Sequence, residues 1–232
     1  MTEHNIRPRD ELENVLKGIS DSLHLSDMHL EISSEERMDS LISFLKETFW
    51  IDEPLCKSYK LVDTTRRTAY RLKDNLSILM VSNSTGSIIG CLTMCIETIH
   101  EADDTAILQI QNENLKKIRT FLAHKLEEKN VFKHFGVEKA VHFLHLSTKK
   151  NYQGRGIASK LTKASLTFCK KLGFIPVCIA ADCTSNISQK IFEKFEFENL
   201  FTVRYDEYKV NDEIVFTNMG DNKVAKFFVK QL

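Results

Sequence analysis

At 232 residues, 42% of them hydrophobic, the chain is long enough for one domain with a sizeable core, and three prolines and eight glycines leave no linker-like tract. Lys plus Arg equals Asp plus Glu at 32 each, so no global field draws it to nucleic acid or to an anionic membrane. No apolar run approaches the roughly 18 residues of a membrane span, and the first 16 residues lack the apolar centre of a secretory leader, so a soluble, cytoplasmic protein is expected. Cys56, Cys91, Cys95, Cys169, Cys178 and Cys183 form no Cys-x-x-Cys pair and have no His at metal-ligand spacing. They read as small buried hydrophobes, and no metal is expected.

In chain order, Asp10 with Glu13 gives a capping-box signal ahead of Leu12, Val15, Leu16, Ile19 and Leu23 at helical spacing. Residues 1–27 are therefore read as a helical extension, with a helix over Asp10 to Leu23, and residues 28–232 as the main domain. Met28, Leu30 and Ile32 alternate as a short strand. Ser33 with Glu36 gives a second capping box before the stripe Met38, Leu41, Ile42, Leu45 and Phe49, and Pro54 predicts the end of that helix near Trp50. Asp52 and Glu53 then sit among Trp50, Ile51 and Leu55; such neighbours can desolvate a carboxylate and raise its pKa from about 4.3, the alternative being a solvated loop carboxylate. A basic helix over Leu61 to Leu72 is followed by a hairpin, Asn75–Ser82 and Ile88–Ile99, with Asn83–Ser87 as its turn. His100 to Ala106 reads as an exposed acidic segment, and Ile110, Leu115, Ile118, Phe121, Leu122 and Leu126 as one more helix.

Val141–Thr148 is a strand whose alternation puts His142, Leu144 and Leu146 on one face and His145 on the other. It runs into the basic loop of Lys149–Phe174 (KKNYQGRGIASKLTKASLTFCKKLGF) and a helix with Ile157, Leu161, Ala164, Phe168 and Leu172 on one face, capped by Gly173. Ile175–Ala181 reads as a buried strand, Cys183–Ser188 as the turn into a helix through Ile191, Phe192 and Phe195, and Phe197–Val210, Ile214–Asn218 and Val224–Val229 as closing β segments. Strands that flank helices, with hairpins early and late, indicate an α/β sheet of mixed direction.

The chemistry concentrates where the glycines meet the helix. Gly154 and Gly156 leave the first amides of the helix free to converge on a negative group, an arrangement suited to a pyrophosphate, although a glycine here also serves as ordinary helix punctuation. A Walker loop is excluded because Ile157 and Ala158, not Lys and Ser or Thr, follow Gly156, and a dinucleotide fingerprint lacks its third Gly. What fits is Gln-x-x-Gly-x-Ala on Gln153, Gly156 and Ala158.

That motif resembles the acetyl-CoA motif of the GNAT N-acetyltransferase superfamily, and the element order over about Met28 to Leu232 resembles the GNAT fold. Four stretches are similar to the invertebrate arylalkylamine N-acetyltransferase branch: Phe49–Leu55, Val131–Thr148, Gln153–Ala158 and Cys183–Ser188. The resemblance implies a mixed, mostly antiparallel sheet of about seven strands flanked by helices, with the N-terminal helix as an addition. It implies acetyl-CoA as co-substrate, on Leu146, Ser147, Thr148, Gln153, Gly154, Arg155, Gly156, Ile157, Ala158 and Ser188. It implies direct acetyl transfer to an amine of dopamine, octopamine, tyramine or serotonin type, with Glu53 as general base, His142 as second candidate base and a backbone amide of Leu146–Thr148 facing the oxyanion. Several members protonate the thiolate with a Tyr where this chain has Phe192; the resemblance to the invertebrate branch implies Ser188 for that role instead, with Thr184 beside it, and both hydroxyls also suit helix capping. Glu196 departs from the Gly usual before Phe197. Acetylation of a polyamine or another amine, and a CoA-binding module without turnover, are the alternatives. The expected partners are small molecules, without nucleic acid or membrane, on a monomer or weak homodimer.

Overall fold

The computed structural model describes residues 5–60, 65–100, 110–124 and 129–232. Its frame is a seven-stranded sheet in the order β1 (Met28–Ile32), β2 (Ile78–Ser82), β3 (Ile88–Thr98), β4 (Lys139–Thr148), β5 (Cys178–Cys183), β9 (Val224–Gln231) and β6 (Glu198–Arg204). β7 (Lys209–Val210) and β8 (Glu213–Ile214) form a separate small hairpin. All neighbours in the large sheet are antiparallel except β4 and β5, which run parallel. The expected mixed, mostly antiparallel sheet of seven strands is therefore present.

Both faces are buried, and the two-residue period of the strands decides which side chain goes where. On β2, Ile78 and Met80 join the core under α1 (Arg9–Ser22) and α7 (Ile157–Cys169), while Leu79 and Val81 join a second core under α2 (Glu35–Thr48). Leu12, Leu16 and Ile19 of α1 lie in the same core as Leu161, Ala164 and Phe168 of α7, so the N-terminal helix packs on the main sheet and not beside it. A third core gathers Leu55, Ile118, Phe121, Tyr205, Phe216 and Phe227 under α5 (Glu113–His124). α7 packs close over Gly90 on β3, where a Cβ would lie 3.0 Å from Leu161 Cδ1 and 3.1 Å from Ile157 Cγ2. All six cysteines are free and buried.

Several boundaries differ from the sequence reading. α1 begins on Pro8 as its cap, so Asp10 stands inside the first turn and no capping box forms. Ser34, not Ser33, precedes α2; Ser33 is fully buried, donating its amide to Ser77 O and accepting the Ser77 amide on Oγ. The basic helix is α4 (Thr65–Arg71), and residues 61–64, like residues 101–109 of the acidic segment and 125–128 at the end of the next helix, lie outside the described residues. α7 stops at Cys169 and not at Gly173. β5 starts at Cys178, since Ile175 is 94% exposed and Pro176 follows it. The β segments expected over Phe197–Val210 and Ile214–Asn218 resolve into β6 and the small β7–β8 hairpin. α6 (Val131–Phe135) is capped by the Asn130 side chain and closed by Gly136, and α8 (Asn186–Lys194) by Ser185.

Candidate active site

The sheet opens where β4 and β5 part. Their pairing ends at Phe143↔Ala181, yet β4 runs on to Thr148 and β5 to Cys183. A cleft of about 670 Å³ enters the gap, lined by residues 143–148 of β4, Ala181–Ser185, and the loop and first turn of α7. This size suits an organic ligand. Past Phe143 the edge of β4 that faces β5 has no strand partner, so its backbone groups are available to whatever fills the cleft.

The glycine loop forms one wall. Gly156 is the N-cap of α7 with φ +75°, a left-handed conformation that a β-carbon disfavours, and no side chain caps the helix. The first intrahelical bond runs from Lys160 N to Gly156 O, which leaves the amides of Ile157, Ala158 and Ser159 without intrahelical acceptors. Gln153 points back into the protein, donating from Nε2 to Thr148 O at 3.2 Å, and so ties the loop to the end of β4. Arg155 lies over the Tyr152 ring with its guanidinium carbon 5.2 Å from the centroid.

A smaller chamber of about 90 Å³ adjoins the cleft, and Phe49, Glu53, Phe143, Leu144, His145, Asp182 and Thr184 line both. Glu53 stands at this junction as the N-cap of the short helix α3 (Pro54–Ser58), so it is a helix cap and not a solvated loop carboxylate. Its Oε2 accepts the Cys56 amide at 2.6 Å and its Oε1 accepts the Thr184 hydroxyl at 2.7 Å. Tyr205, buried and unforeseen from sequence, donates its hydroxyl to Thr184 O at 2.8 Å and so holds Thr184 from behind.

The acetyltransferase (GNAT) domain model matches residues 93–221, more than half of the chain. The chain belongs to the GNAT acetyltransferase family. Arylalkylamine N-acetyltransferase 2 from Aedes aegypti is similar in structure, with a TM-score of 0.81 and 27% identity over 88% of this chain and 98% of that one. A mosquito arylalkylamine N-acetyltransferase like 5b (TM-score 0.79, 21% identity, 88% and 100% covered) and the Drosophila melanogaster polyamine N-acetyltransferase (0.79, 17%, 89% and 100%) share the fold.

As a GNAT acetyltransferase the protein uses acetyl-CoA, and the cleft fits it. Thr148 Oγ1 is buried in the cleft wall with no hydrogen-bond partner, an orphan that a ligand amide or carbonyl would satisfy. Ser147, by contrast, spends its hydroxyl on Thr48 Oγ1 of α2 at 2.9 Å, so what it can offer the donor is backbone. Leu146 lines the cleft, whereas Ile157 is 3% exposed and faces the core as well as the cleft mouth. Ser188 Oγ donates to Ser185 O at 2.9 Å and lies 3.0 Å from Ser185 Oγ, so in the resting site it belongs to the helix cap. Phe192 packs against Phe143, Phe197 and Phe228 with its edge on the cleft. Glu196 adopts φ +57°, so the turn that the family builds with Gly is present here on a residue with a side chain.

His142 and His145 share the chamber, contrary to simple alternation. The register with β3 goes from Thr93↔His145 to Met94↔Phe143, leaving Leu144 as an extra residue, and this bulge turns His145 to the side that His142 faces. His142 has Nδ1 2.9 Å from Glu97 Oε2 and Nε2 3.3 Å from Asp182 Oδ2. Burial alone would strip its proton, but the Glu97 and Asp182 charges outweigh that and push its pKa up to about 9. Burial would likewise raise Glu97, yet His142 and Arg71, whose Nη2 donates to Glu97 Oε1, hold it far below the usual carboxylate range. His145 takes the opposite course: burial, then Arg119, Arg71 and His142, push it down to about 3, and it is a neutral ring with Nδ1 2.7 Å from Thr93 Oγ1. Thr93 Oγ1 also accepts the His145 backbone amide, so one threonine holds both the backbone and the ring of His145. Arg71, Glu97, Asp182 and Tyr205 were missed by the sequence reading. Among the described residues no group of three or more His, Cys, Asp or Glu is placed to hold a metal ion, and no helix is long and apolar enough to cross a membrane.

Proposed function

We propose that this GNAT acetyltransferase transfers the acetyl group of acetyl-CoA to the primary amine of an arylalkylamine, by direct attack and with Glu53 as general base. The observation that carries the reading is the position of Glu53, with one oxygen on Thr184, on the stretch of wall shared by the donor cleft and the adjoining chamber. An alkylamine arrives protonated, because its pKa is near that of Lys, about 10.4. Among the described residues Glu53 has no cationic partner, so it can attract the ammonium and then take its proton, directly or through one water. The freed lone pair attacks the thioester carbon. The unpaired edge of β4 over Leu146–Thr148 supplies amide donors for the oxyanion, and collapse breaks the C–S bond. The attacking nitrogen sheds its second N–H proton as the bond breaks, and Ser188, at the cleft wall, relays a proton to the departing thiolate and regains one from that release, so its hydroxyl is restored, with Ser185 as its neighbour in the network.

His142 is the weaker base because both ring nitrogens already face carboxylates and the ring keeps its proton at neutral pH. The aryl preference rests on the chamber, where Phe49, Trp50, Leu55, Leu115, Ile118 and Leu122 offer apolar and aromatic surface; the Aedes aegypti protein named for arylalkylamines supports the same class. The catalytic domain is taken to span residues 28–232, with the helix of residues 1–27 as an accessory.

The test is CoA release from acetyl-CoA with tryptamine, tyramine and spermidine, on wild type and Glu53→Gln. Turnover of the aryl amines that falls about 10²–10³-fold in Glu53→Gln, with acetyl-CoA affinity retained, is the expected result. Preference for spermidine would move the assignment to polyamines, and absence of turnover with every amine would leave a CoA-binding module.

A further inference from the structure

His145 lines both the cleft and the chamber, on the wall that also carries Glu53 and Thr184. Its ring is held on two sides. Nδ1 lies 2.7 Å from Thr93 Oγ1, which also accepts the His145 amide at 3.0 Å, and the Phe49 ring stands edge-on with centroids 4.8 Å apart and planes at 81°. Nε2 is left over. Among the described residues it makes no hydrogen bond, yet it is not sealed in the core, so it opens into the cavity that the ring lines.

Three cations act on this ring. Burial, then Arg119, Arg71 and protonated His142, keep it neutral, while Glu97 pairs with Arg71 and His142, and Asp182 with His142. A neutral imidazole has one N–H, and the Thr93 hydroxyl can serve Nδ1 either as donor or as acceptor. Attack on a thioester makes two demands at once: the nitrogen must shed protons, and the carbonyl oxygen must carry negative charge. Glu53 answers the first. The cations that stop His145 from taking a proton favour the second, because they stabilise negative charge on an atom beside the ring.

Resting on the proposed reading that acetyl transfer takes place at this wall, we propose that His145 is a further catalytic residue: Thr93 donates to Nδ1, and the Nε2–H that this leaves donates to the thioester oxygen, beside the backbone amides of Leu146–Thr148. The ring takes up no proton at any step. It acts as a fixed dipole whose hydrogen bond strengthens as the oxygen becomes charged, so it lowers the barrier more than it tightens binding.

Two amides separate this role from a structural one. Asn can replace Nδ1 against Thr93 but does not reach the place of Nε2, whereas Gln reaches that place with an N–H and gives up the Thr93 contact. The measurement is the single-turnover rate of acetyl transfer to the amine that wild type acetylates fastest, below the melting temperature of each variant and with its acetyl-CoA affinity taken by calorimetry. His145→Asn is expected to be about 10²-fold slower with affinity close to wild type, and His145→Gln to recover at least about tenfold of that loss. NMR of wild type labelled with heavy nitrogen at histidine reads the tautomer with no substitution, and the proton is expected on Nε2 of His145. Transfer at the wild-type rate by folded His145→Asn, a His145→Gln slower than His145→Asn at equal affinity, or a ring protonated on Nδ1 would overturn the assignment of His145 while leaving the role of Glu53 intact. Absence of transfer by wild type to every amine would overturn that reading and take this inference with it.

Discussion

Substituting His142 by Gln should remove a specific pH dependence from the stability of the fold. His142 is 6% exposed and stands between Glu97 and Asp182, which together overcome its burial and raise its pKa from 6.5 to about 9. A pKa higher in the folded than in the unfolded chain means that the folded state binds the proton more tightly. The resulting stabilisation is complete below about pH 6.5 and fades as the pH climbs through about 9. Integrated from pH 7 to 8.5 at about 1.36 kcal/mol per unit, the loss comes to about 2 kcal/mol, or roughly 4–8 °C in Tm for a chain of this size. The neighbours act elsewhere or equally in both proteins. Glu97, held low, loses its contribution only as the solution becomes acidic; His145, pushed down to about 3, costs stability only below about pH 6.5. The buried thiols of Cys56, Cys91, Cys169 and Cys183, raised by burial, add an alkaline slope that both proteins share. Scanning calorimetry at pH 7.0, 7.75 and 8.5 should therefore show wild type falling more steeply than His142→Gln, with the variant less stable at pH 7 and the two curves converging. Parallel curves would refute the charge assignment of His142 and reopen its candidacy as a proton acceptor.

Tyr205→Phe removes one hydroxyl, the donor to Thr184 O, and should lower kcat about 3–10-fold through the loosened Thr184–Glu53 bond while KM for acetyl-CoA stays put; steady-state kinetics with a melting control reads both. Gly156→Val forces a β-branched residue to φ +75° at the mouth of the donor cleft, and calorimetric titration should show acetyl-CoA affinity down at least about tenfold in a protein with unchanged circular dichroism. Glu196→Gly relieves a side chain from φ +57° and should stabilise the protein by about 0.5–1 kcal/mol in urea unfolding, with no effect on kcat.

The parts of the fold that were legible from sequence are those where one short-range rule decides. The period-2 run of β1, the hairpin of β2 and β3 and the apolar stripe of α7 fall where the pattern puts them. Where two local signals compete, tertiary contacts choose. Ser33 and Ser34 are both good caps, and Ser33 is taken by Ser77 of the neighbouring chain segment. Glu53-Pro54 spells out a cap followed by proline at the first helical position, the local signal for α3. The motif loop and Glu53 could be named from the resemblance, but the charge network could not. Arg71, Glu97, His142 and Asp182 lie on four separate elements and meet only through sheet register and the packing of α4 beside it; their one trace in the sequence is a carboxylate at the end of an apolar strand and another inside one, Glu97 and Asp182.

The bulge at Leu144 explains why a single stretch of β4 can serve two cavities. A strand that kept strict alternation would show His142 and His145 to opposite faces, and parallel pairing that continued past Phe143 would close the cleft. Instead the extra residue on the β3 side shifts the phase by one, while on the β5 side the pairing stops at the neighbouring residue, Phe143. Residues 143–145 are thus wall to the cleft and to the adjoining chamber at once, and all three line both. What closes the junction comes from far away in the chain: the 2.7 Å bond from Thr184 to Glu53 spans 131 positions and joins the end of β5 to the cap of α3. Because Thr184 directly follows β5 and is braced by Tyr205, the distance from the proposed base to the opened edge of β4 is set by the sheet itself. That rigidity is what an attack at a bound thioester requires, since a displacement of about 1 Å at a reacting atom can cost about 10²-fold in rate.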